Sequence, residues 1–366
     1  MRIIIIGGHL SPALSVVEEL KGKNEILFIG RKKTFEADPA ESLEYKMMKE
    51  LNIPFALLST GRFQRKFTKH TIPSLFKLVP GFISAFMVLH KFKPDIILGF
   101  GGYLQIPIVF ASSFLNIPVV IHEQTLEAGL ANKICSFIAK KICISWEASR
   151  KFFPKEKTIL TGNPVRKIFS NSPLVKNELP LVYITGGSSG SHFINTLIED
   201  CISMLLKNFR IIHQAGDAKE FNDFERLSAL KEKLDKNLQM NYEIKKFIAD
   251  DHELIKIYQE AQIIVSRAGI NTVTELIYLK KPAILIPIPF SQKDEQNKNA
   301  LFLKKLGLGE VLNQEEASPR RLLHVLGEIK ENINNYKIKD SEYKKVVKKN
   351  AASEIIKVLR DEKKKK

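Results

Sequence analysis

The chain has 366 residues, 44% of them hydrophobic and 27% charged, with a formal net charge of +17. That length accommodates two domains with cores of their own, and the balance excludes a disordered or fibrous chain. The excess of Lys and Arg, 57 against 40 Asp and Glu, predicts an anionic partner: nucleic acid, an acidic membrane surface or phosphorylated substrates. Cys135, Cys143 and Cys201 follow no pairing pattern, which argues against a disulfide framework and for a reducing cytosol. No CxxC or histidine pair stands at metal-ligand spacing, so no structural zinc is expected. A lysine run closes the chain at 363–366 and reads as a solvated tail.

Residues 2–6 form a β-branched run, the mark of a strand buried on both faces. No signal peptide is expected, because Arg2 is followed at once by β-branched residues and a glycine turn. Gly7, Gly8 and His9 follow, then helical periodicity over 13–20: strand, glycine turn and helix N-terminus, a place for a phosphate or diphosphate. The turn is not GxGxxG, and no acidic residue closes the second strand, 25–30, which disfavours a dinucleotide dehydrogenase. His9 reads equally as a general base or as a turn or helix-capping histidine.

A helix is expected over 41–52 and a strand over 53–58. From Arg62 to Phe86 basic residues alternate with Phe, Leu and Ile, the composition of a surface that docks on an anionic bilayer. The alternative is a core helix with a solvated basic face, which Pro73 and Pro80 disfavour. Residues 93–98 read as the fourth strand, opening into Gly99, Gly101, Gly102 and Tyr103. The uncharged segment 104–121 resembles a membrane span, but Pro107 and Pro118 divide it into a helix and a buried strand over 117–121. That strand ends in the polar run His122, Glu123, Gln124 and Thr125, although His122 reads equally as a packing histidine. A short strand is expected at 142–145, a rigid turn around Asn163 and Pro164, and a linker over 171–180.

The second half starts again with a strand at 181–185, a third glycine loop at 186–191 carrying Ser188, and a helix over 193–206. Strands over 210–214 and 242–248 and a helix over 251–260 follow. The next stretch, from Ser266 to Ala300, organises this half. It reads as a strand end, a turn at Gly269, a helix capped by Asn271 or Thr272, a buried strand, and a polar loop with Asp294, Glu295, Gln296 and Asn297. Polar groups at two successive strand ends mark where an open α/β sheet binds its ligand. Glu275, in the first turns of that helix, is placed to accept hydrogen bonds from a ribose diol, although an ordinary βαβ unit reads the same way. Two helices remain after Ser318, the last over 341 to about 359.

Six motifs then occur in one order: Gly-Gly-His-x-x-Pro-Ala-Leu, Gly-Phe-Gly-Gly-Tyr-x-x-x-Pro, His-Glu-Gln, Gly-Asn-Pro-Val-Arg, Gly-Gly-Ser-x-Gly and Ser-Arg-Ala-Gly with its Glu and Gln followers. Together they resemble the MurG family, the lipid-linked N-acetylglucosaminyltransferases of peptidoglycan synthesis in glycosyltransferase family 28. The resemblance covers nearly the whole chain. It implies an α/β fold of GT-B type: two Rossmann-like domains facing each other across a cleft, with the final helix crossing back to the first. The expected division is 1–163 with 341–361 as the acceptor and membrane domain, 164–340 as the UDP-GlcNAc-binding domain, and 362–366 as tail.

The implied reaction moves GlcNAc, with inversion and with neither metal nor cofactor, from UDP-GlcNAc to the MurNAc 4-hydroxyl of undecaprenyl-diphosphate-MurNAc-pentapeptide (lipid I). Carried over by position, Ile248 meets uracil, Glu275 the ribose, Arg166 and Ser188 the diphosphate, and Gln296 with Asn297 the sugar. Thr125 stands at a further donor position, and the helix after Gly269 steadies the departing UDP. His9 is the implied base. Gly7, Gly8, Gly101, Gly102, Tyr103, His122, Glu123 and Gln124 serve the acceptor.

The basic, aromatic stretch from Arg62 to Phe86 corresponds to the family's docking region, implying a peripheral protein on the cytoplasmic face of the membrane and no nucleic-acid partner. Two positions depart from the family pattern. Its first loop reads Gly-Gly-Thr-Gly-Gly-His, with more glycine than Gly7-Gly8 supply here, and its His-Glu-Gln-Asn ends here in Thr125. A different GT-B glycolipid synthase and a non-catalytic UDP-sugar-binding protein are the alternatives.

Overall fold

The computed structural model describes residues 1–32, 41–58, 78–166, 179–187, 189–217, 220–248 and 250–365. The chain divides into two compact units: Met1–Arg166 with Lys348–Lys366, and Lys167–Val347.

The first unit is built on a seven-stranded, all-parallel sheet. Its strands are β1 (Arg2–Ile6), β2 (Glu25–Gly30), β3 (Phe55–Leu57), β4 (Ile96–Gly99), β5 (Val119–Glu123), β6 (Lys141–Ile144) and β7 (Thr158–Leu160), in the order β3-β2-β1-β4-β5-β6-β7. β1 shows why both faces must be covered. Ile3 and Ile5 enter one core with Val16, Val17, Ile355 and Leu359; Ile4 and Ile6 enter the other with Leu89, Ile108 and Val109. All four isoleucines are fully buried, and each contributes about 1.5–3 kcal/mol by leaving water. Helices Leu10–Leu20 and Ala351–Lys364 therefore cover one face, and helices Leu78–Phe92 and Gln105–Phe114 the other.

The second unit carries six parallel strands: β8 (Leu181–Thr185), β9 (Arg210–Gln214), β10 (Tyr242–Lys245), β11 (Ile263–Ser266), β12 (Ala283–Leu285) and β13 (Gly309–Val311), in the order β10-β9-β8-β11-β12-β13. Its core runs from Val182 and Ile184 through Leu197, Ile198 and Phe209 to Leu322, Leu326 and Ile329.

Several expected boundaries move. The first helix begins at Leu10 rather than at residue 13, because Pro12 falls in the first turn, where its missing N–H costs nothing. β5 runs on through His122 and Glu123, so these side chains belong to the strand itself. The helix expected over 193–206 breaks into His192–Glu199 and Ile202–Leu205, and β10 stops at Lys245. β7, three residues long, gave no periodicity to read.

The helix expected over 341–359 is two helices, Asp340–Val346 and Ala351–Lys364, with Val347 extended after the first. The first is tied into the second unit by the Tyr343 hydroxyl, which donates to the Tyr278 carbonyl at 3.0 Å. The second buries Ala352, Ile355, Ile356 and Leu359 in the first unit's core. The break therefore falls where the chain passes from one unit to the other.

The segment 104–121 is a helix (Gln105–Phe114) and a strand, as its prolines indicated. Among the described residues, no helix is long and apolar enough to cross a membrane. Of the stretch from Arg62 to Phe86, residues 62–77 lie outside the described residues, as does most of the linker expected over 171–180.

Candidate active site

In an open parallel sheet, ligands settle over the carboxyl ends of the strands where the strand order reverses. That point lies between β1 and β4 in the first unit and between β8 and β11 in the second. The glycine-rich segments 7–9 and 99–103 follow β1 and β4; segments 186–191 and 267–269 follow β8 and β11.

In the first unit the two loops touch backbone to backbone. A Cβ on Gly8 would stand 2.4 Å from the Gly101 carbonyl oxygen, so no side chain fits there. This contact brings His9 over the β4 loop. His9 occupies the N-cap position of helix Leu10–Leu20, but its side chain caps nothing. Instead its Nδ1 bonds the Phe100 carbonyl oxygen at 3.0 Å. A carbonyl can only accept, so Nδ1 carries the proton and the neutral ring keeps a lone pair on Nε2.

Behind these loops runs a buried polar lattice. The Gln105 Oε1 accepts from the Gly101 N–H at 2.7 Å, and its Nε2 donates to Asn132 Oδ1 at 2.8 Å. The Asn132 Nδ2 donates to the His122 carbonyl and to Glu123 Oε2, both at 3.0 Å. Glu123 Oε2 also accepts from the Gly129 N–H at 2.8 Å, while Oε1 accepts from the Thr125 N–H at 3.0 Å and its hydroxyl at 2.7 Å. The Thr125 hydroxyl also lies against the Glu127 carbonyl oxygen. Both oxygens of the buried Glu123 carboxylate are therefore committed to bracing the turn after β5. His122 is buried beside the Phe100 ring, and desolvation pushes its pKa down to about 4, which keeps it neutral. Gln124 is 1% exposed, yet neither its Nε2 nor its Oε1 has a partner among the described residues, while Trp146 Nε1 donates to its backbone carbonyl at 2.7 Å. Leaving such an amide unpaired costs about 1–3 kcal/mol per polar atom, a cost relieved by a water or ligand group that reaches it.

In the second unit the loop after β8 folds tightly on the end of β9. Gly190 has φ +77°, and a Cβ there would meet the Ala215 carbonyl oxygen at 2.0 Å. The Gln214 Nε2 donates to the Gly187 carbonyl at 3.0 Å. Helix Ile270–Leu279 starts directly after Gly269, which occupies the N-cap position expected of Asn271 or Thr272. The backbone already turns at Gly269, and among the described residues a Cβ there would meet nothing within 4 Å; the first N–H groups of the helix have no partner within it. Glu275 lies on this helix, half-buried, with the Tyr258 hydroxyl at 3.1 Å from its Oε2.

Gln296 and Asn297 open helix Glu295–Lys305. The Gln296 Oε1 accepts from the Ile288 N–H at 3.1 Å, and the Asn297 Nδ2 donates to Asp294 Oδ2 at 2.9 Å. Ile248 is buried after the edge strand β10, two strands from β8. Arg166 ends the main span of the first unit, and Ser188 lies outside the described residues.

Arg267 was missed as a site residue, although it stands inside the Ser-Arg-Ala-Gly motif. Its Nε donates to Ser191 Oγ at 3.0 Å and its Nη1 to the Ile286 carbonyl at 3.1 Å, tying the ends of β8 and β12 to the turn after β11. Among the described residues its hydrogen-bond partners are neutral, and burial lowers its pKa to about 10. A desolvated guanidinium beside a helix N-terminus favours an anion at this spot. Gln105 carried one signal, a polar residue opening an apolar segment; Asn132 carried none. Among the described residues, no group of three or more His, Cys, Asp or Glu converges as a metal site.

Residues 6–144 match the glycosyltransferase family 28 N-terminal domain, and residues 181–358 match the family 28 C-terminal domain. A relative from Treponema denticola, named UDP-N-acetylglucosamine--N-acetylmuramyl-(pentapeptide) pyrophosphoryl-undecaprenol N-acetylglucosamine transferase, is 35% identical over 347 residues, covering 89% of this chain and 87% of its own. One of the same name from Clostridium kluyveri is 32% identical over 340 residues, covering 89% and 90%. Among solved structures, MurG of Acinetobacter baumannii superposes with a TM-score of 0.72 at 25% identity, over 99% of this chain and 100% of that one. The UDP-GlcNAc 2-epimerase of Neisseria meningitidis, at 14% identity and a TM-score of 0.65, covers 99% of this chain and 100% of its own and shares the fold alone. The two Rossmann-like α/β domains of a GT-B protein are thus present, and with both domains matched in order and relatives above 30% identity along most of its length, the chain belongs to glycosyltransferase family 28.

Proposed function

We propose that this protein transfers GlcNAc from UDP-GlcNAc to the MurNAc 4-hydroxyl of lipid I, giving lipid II and UDP, in peptidoglycan synthesis. The observation that carries this reading is the near full-length likeness to relatives named for that reaction, on a chain whose glycine loops stand at both switch points.

In the first unit, His9 Nε2 takes the proton of the acceptor hydroxyl. The oxygen then attacks the anomeric carbon, the bond to the β-phosphate breaks, and the configuration inverts. The His9 bond to Phe100 supports this role, because it leaves the basic nitrogen free. Gly7, Gly8, Gly101, Gly102 and Tyr103 surround the lipid diphosphate. The unpartnered Gln124 amide meets the acceptor, while His122 and Glu123 act by holding the loop. Thr125, in place of the family's Asn, keeps a hydroxyl at a donor position.

In the second unit, Ile248 meets uracil, Glu275 the ribose, Gln296 and Asn297 the sugar hydroxyls, and Ser188 the diphosphate; Arg166, which ends the main span of the first unit, is also assigned to the diphosphate. UDP departs toward the N-terminus of helix Ile270–Leu279, whose dipole, with Arg267, offsets the charge that develops on the leaving oxygen.

The acceptor is a lipid, and we place the protein peripherally on the cytoplasmic face of the membrane. Ile83, Phe86 and Met87 on helix Leu78–Phe92 are 55%, 36% and 62% exposed. Phe114, 74% exposed on the neighbouring helix, stands 6.0 Å from the Phe86 ring. Such an apolar face on a chain of net charge +17 suits an anionic bilayer. UDP release that requires both UDP-GlcNAc and lipid I, and fails with UDP-glucose or with a diacylglycerol acceptor, is the test; release with diacylglycerol instead would assign a different glycolipid synthase.

A further inference from the structure

Two tyrosines of the second unit have no place in the reading above; one is buried against Glu275, and the other reaches the glycine loop after β8 through Gln214. Tyr258, on helix Asp251–Glu260, is 4% exposed, and its hydroxyl donates to Glu275 Oε2 at 3.1 Å. Tyr183, inside β8, is 1% exposed, and its hydroxyl donates to Gln214 Oε1 at 3.1 Å. Gln214 passes the contact on, its Nε2 donating to the Gly187 carbonyl at 3.0 Å. The two tyrosine rings meet edge to face, centroids 5.6 Å apart at 64°. A continuous chain of contacts thus runs from the glycine loop after β8 to the carboxylate on helix Ile270–Leu279: Gly187, Gln214, Tyr183, Tyr258, Glu275.

A core needs no hydroxyls at these positions, since phenylalanine would fill the same space without two polar groups to satisfy. The hydroxyls are aimed instead at one carboxylate and one amide that hold ligand-facing elements. A phenol donating to one oxygen of a carboxylate removes its rotamer freedom and turns the other oxygen in a fixed direction. At the far end, the Gln214 amide fixes the peptide of Gly187, whose φ of +87° would otherwise let it flip.

We propose that Tyr258 is a positioning residue that sets Glu275 to read a ribose cis-diol, and that Tyr183 with Gln214 holds the diphosphate loop at a fixed distance from it. The pair makes this site select nucleoside diphosphates with an intact ribose. The proposal rests on the assignment of Glu275 to the ribose.

Calorimetric titration of the full chain with UDP and with 2′-deoxyUDP tests it. The wild type binds UDP about tenfold more tightly than 2′-deoxyUDP, the value of one well-placed hydrogen bond to a charged group. Tyr258→Phe weakens UDP binding about tenfold, leaves 2′-deoxyUDP binding unchanged, and so removes the preference; KM for UDP-GlcNAc rises by the same factor while kcat changes less than about twofold. Tyr183→Phe weakens both ligands equally, and it supplies the test should Tyr258→Phe not fold; equal affinities for wild type and Tyr183→Phe would overturn the loop half of the proposal. A Tyr258→Phe protein that keeps its preference for UDP, while Glu275→Gln loses it, would overturn the positioning role and leave Glu275 on the ribose. A Glu275→Gln protein that keeps the preference would remove the ribose assignment, and the proposal with it.

Discussion

His9 and Phe100 meet at the switch point of the first sheet: the imidazole Nδ1 lies 3.0 Å from the Phe100 carbonyl oxygen, which fixes both the ring's orientation and its tautomer. An amide can hold the same carbonyl but cannot accept a proton at the other end. His9→Gln therefore keeps the fold and loses activity by about 10²–10⁴-fold, the usual contribution of a positioned general base. Turnover alongside UDP binding checks this, and the binding is expected to stay unchanged.

Gly8 is where the two loops of the first unit approach most closely. Gly8→Ala puts a methyl group 2.4 Å from the Gly101 carbonyl oxygen, and the backbone has to move. The expected loss is about 1–3 kcal/mol of stability with a larger fall in activity, because His9 rides on the displaced segment. Thermal unfolding and turnover of the one variant separate the two effects.

Arg267 reaches Ser191 and the Ile286 carbonyl with a rigid fork that a lysine cannot copy. Arg267→Lys keeps the charge but not the geometry. It is expected to lower kcat more than it raises KM for UDP-GlcNAc, since the charge on the UDP moiety is greater in the transition state than in bound UDP-GlcNAc. Steady-state kinetics decide; an unchanged kcat would limit Arg267 to a structural tie.

Among the described residues, each unit buries one neutral histidine. Burial lowers His122 to about 4 and His213 to about 3, against about 6.5 in the unfolded chain. The unfolded chain therefore takes up protons first as the pH falls. The stability these groups supply is complete above pH 6.5 and is lost progressively toward pH 4 and 3, about 3 kcal/mol or more for each. Urea unfolding at pH 7.5, 5.5 and 4.5 is expected to show falling midpoints. A His122→Gln variant is expected to flatten the slope, and an unchanged slope would mean that His122 is not buried neutral.

Much of this was legible from the residues. β1 and β8 were plain in their β-branched runs, and the glycine segments marked both switch points before any sheet order was known. The docking of the last helix on the first unit followed from resemblance rather than pattern, and its break at Val347 carried no glycine or proline to announce it; the break falls where the chain passes from one unit to the other. The lattice of Gln105, Asn132 and Glu123 was hidden because its partners lie up to 27 residues apart and share no spacing rule. The cap at Gly269 was read two or three residues late because Asn and Thr are common caps, whereas here the chain itself turns at the glycine.

The most direct test of the whole account is to incubate the purified protein with labelled UDP-GlcNAc and lipid I in detergent and identify the lipid product by mass. The account predicts lipid II together with an equal amount of UDP, and loss of both with His9→Gln. UDP-GlcNAc bound but no lipid II formed would contradict it, leaving a sound donor unit joined to an acceptor site of different specificity.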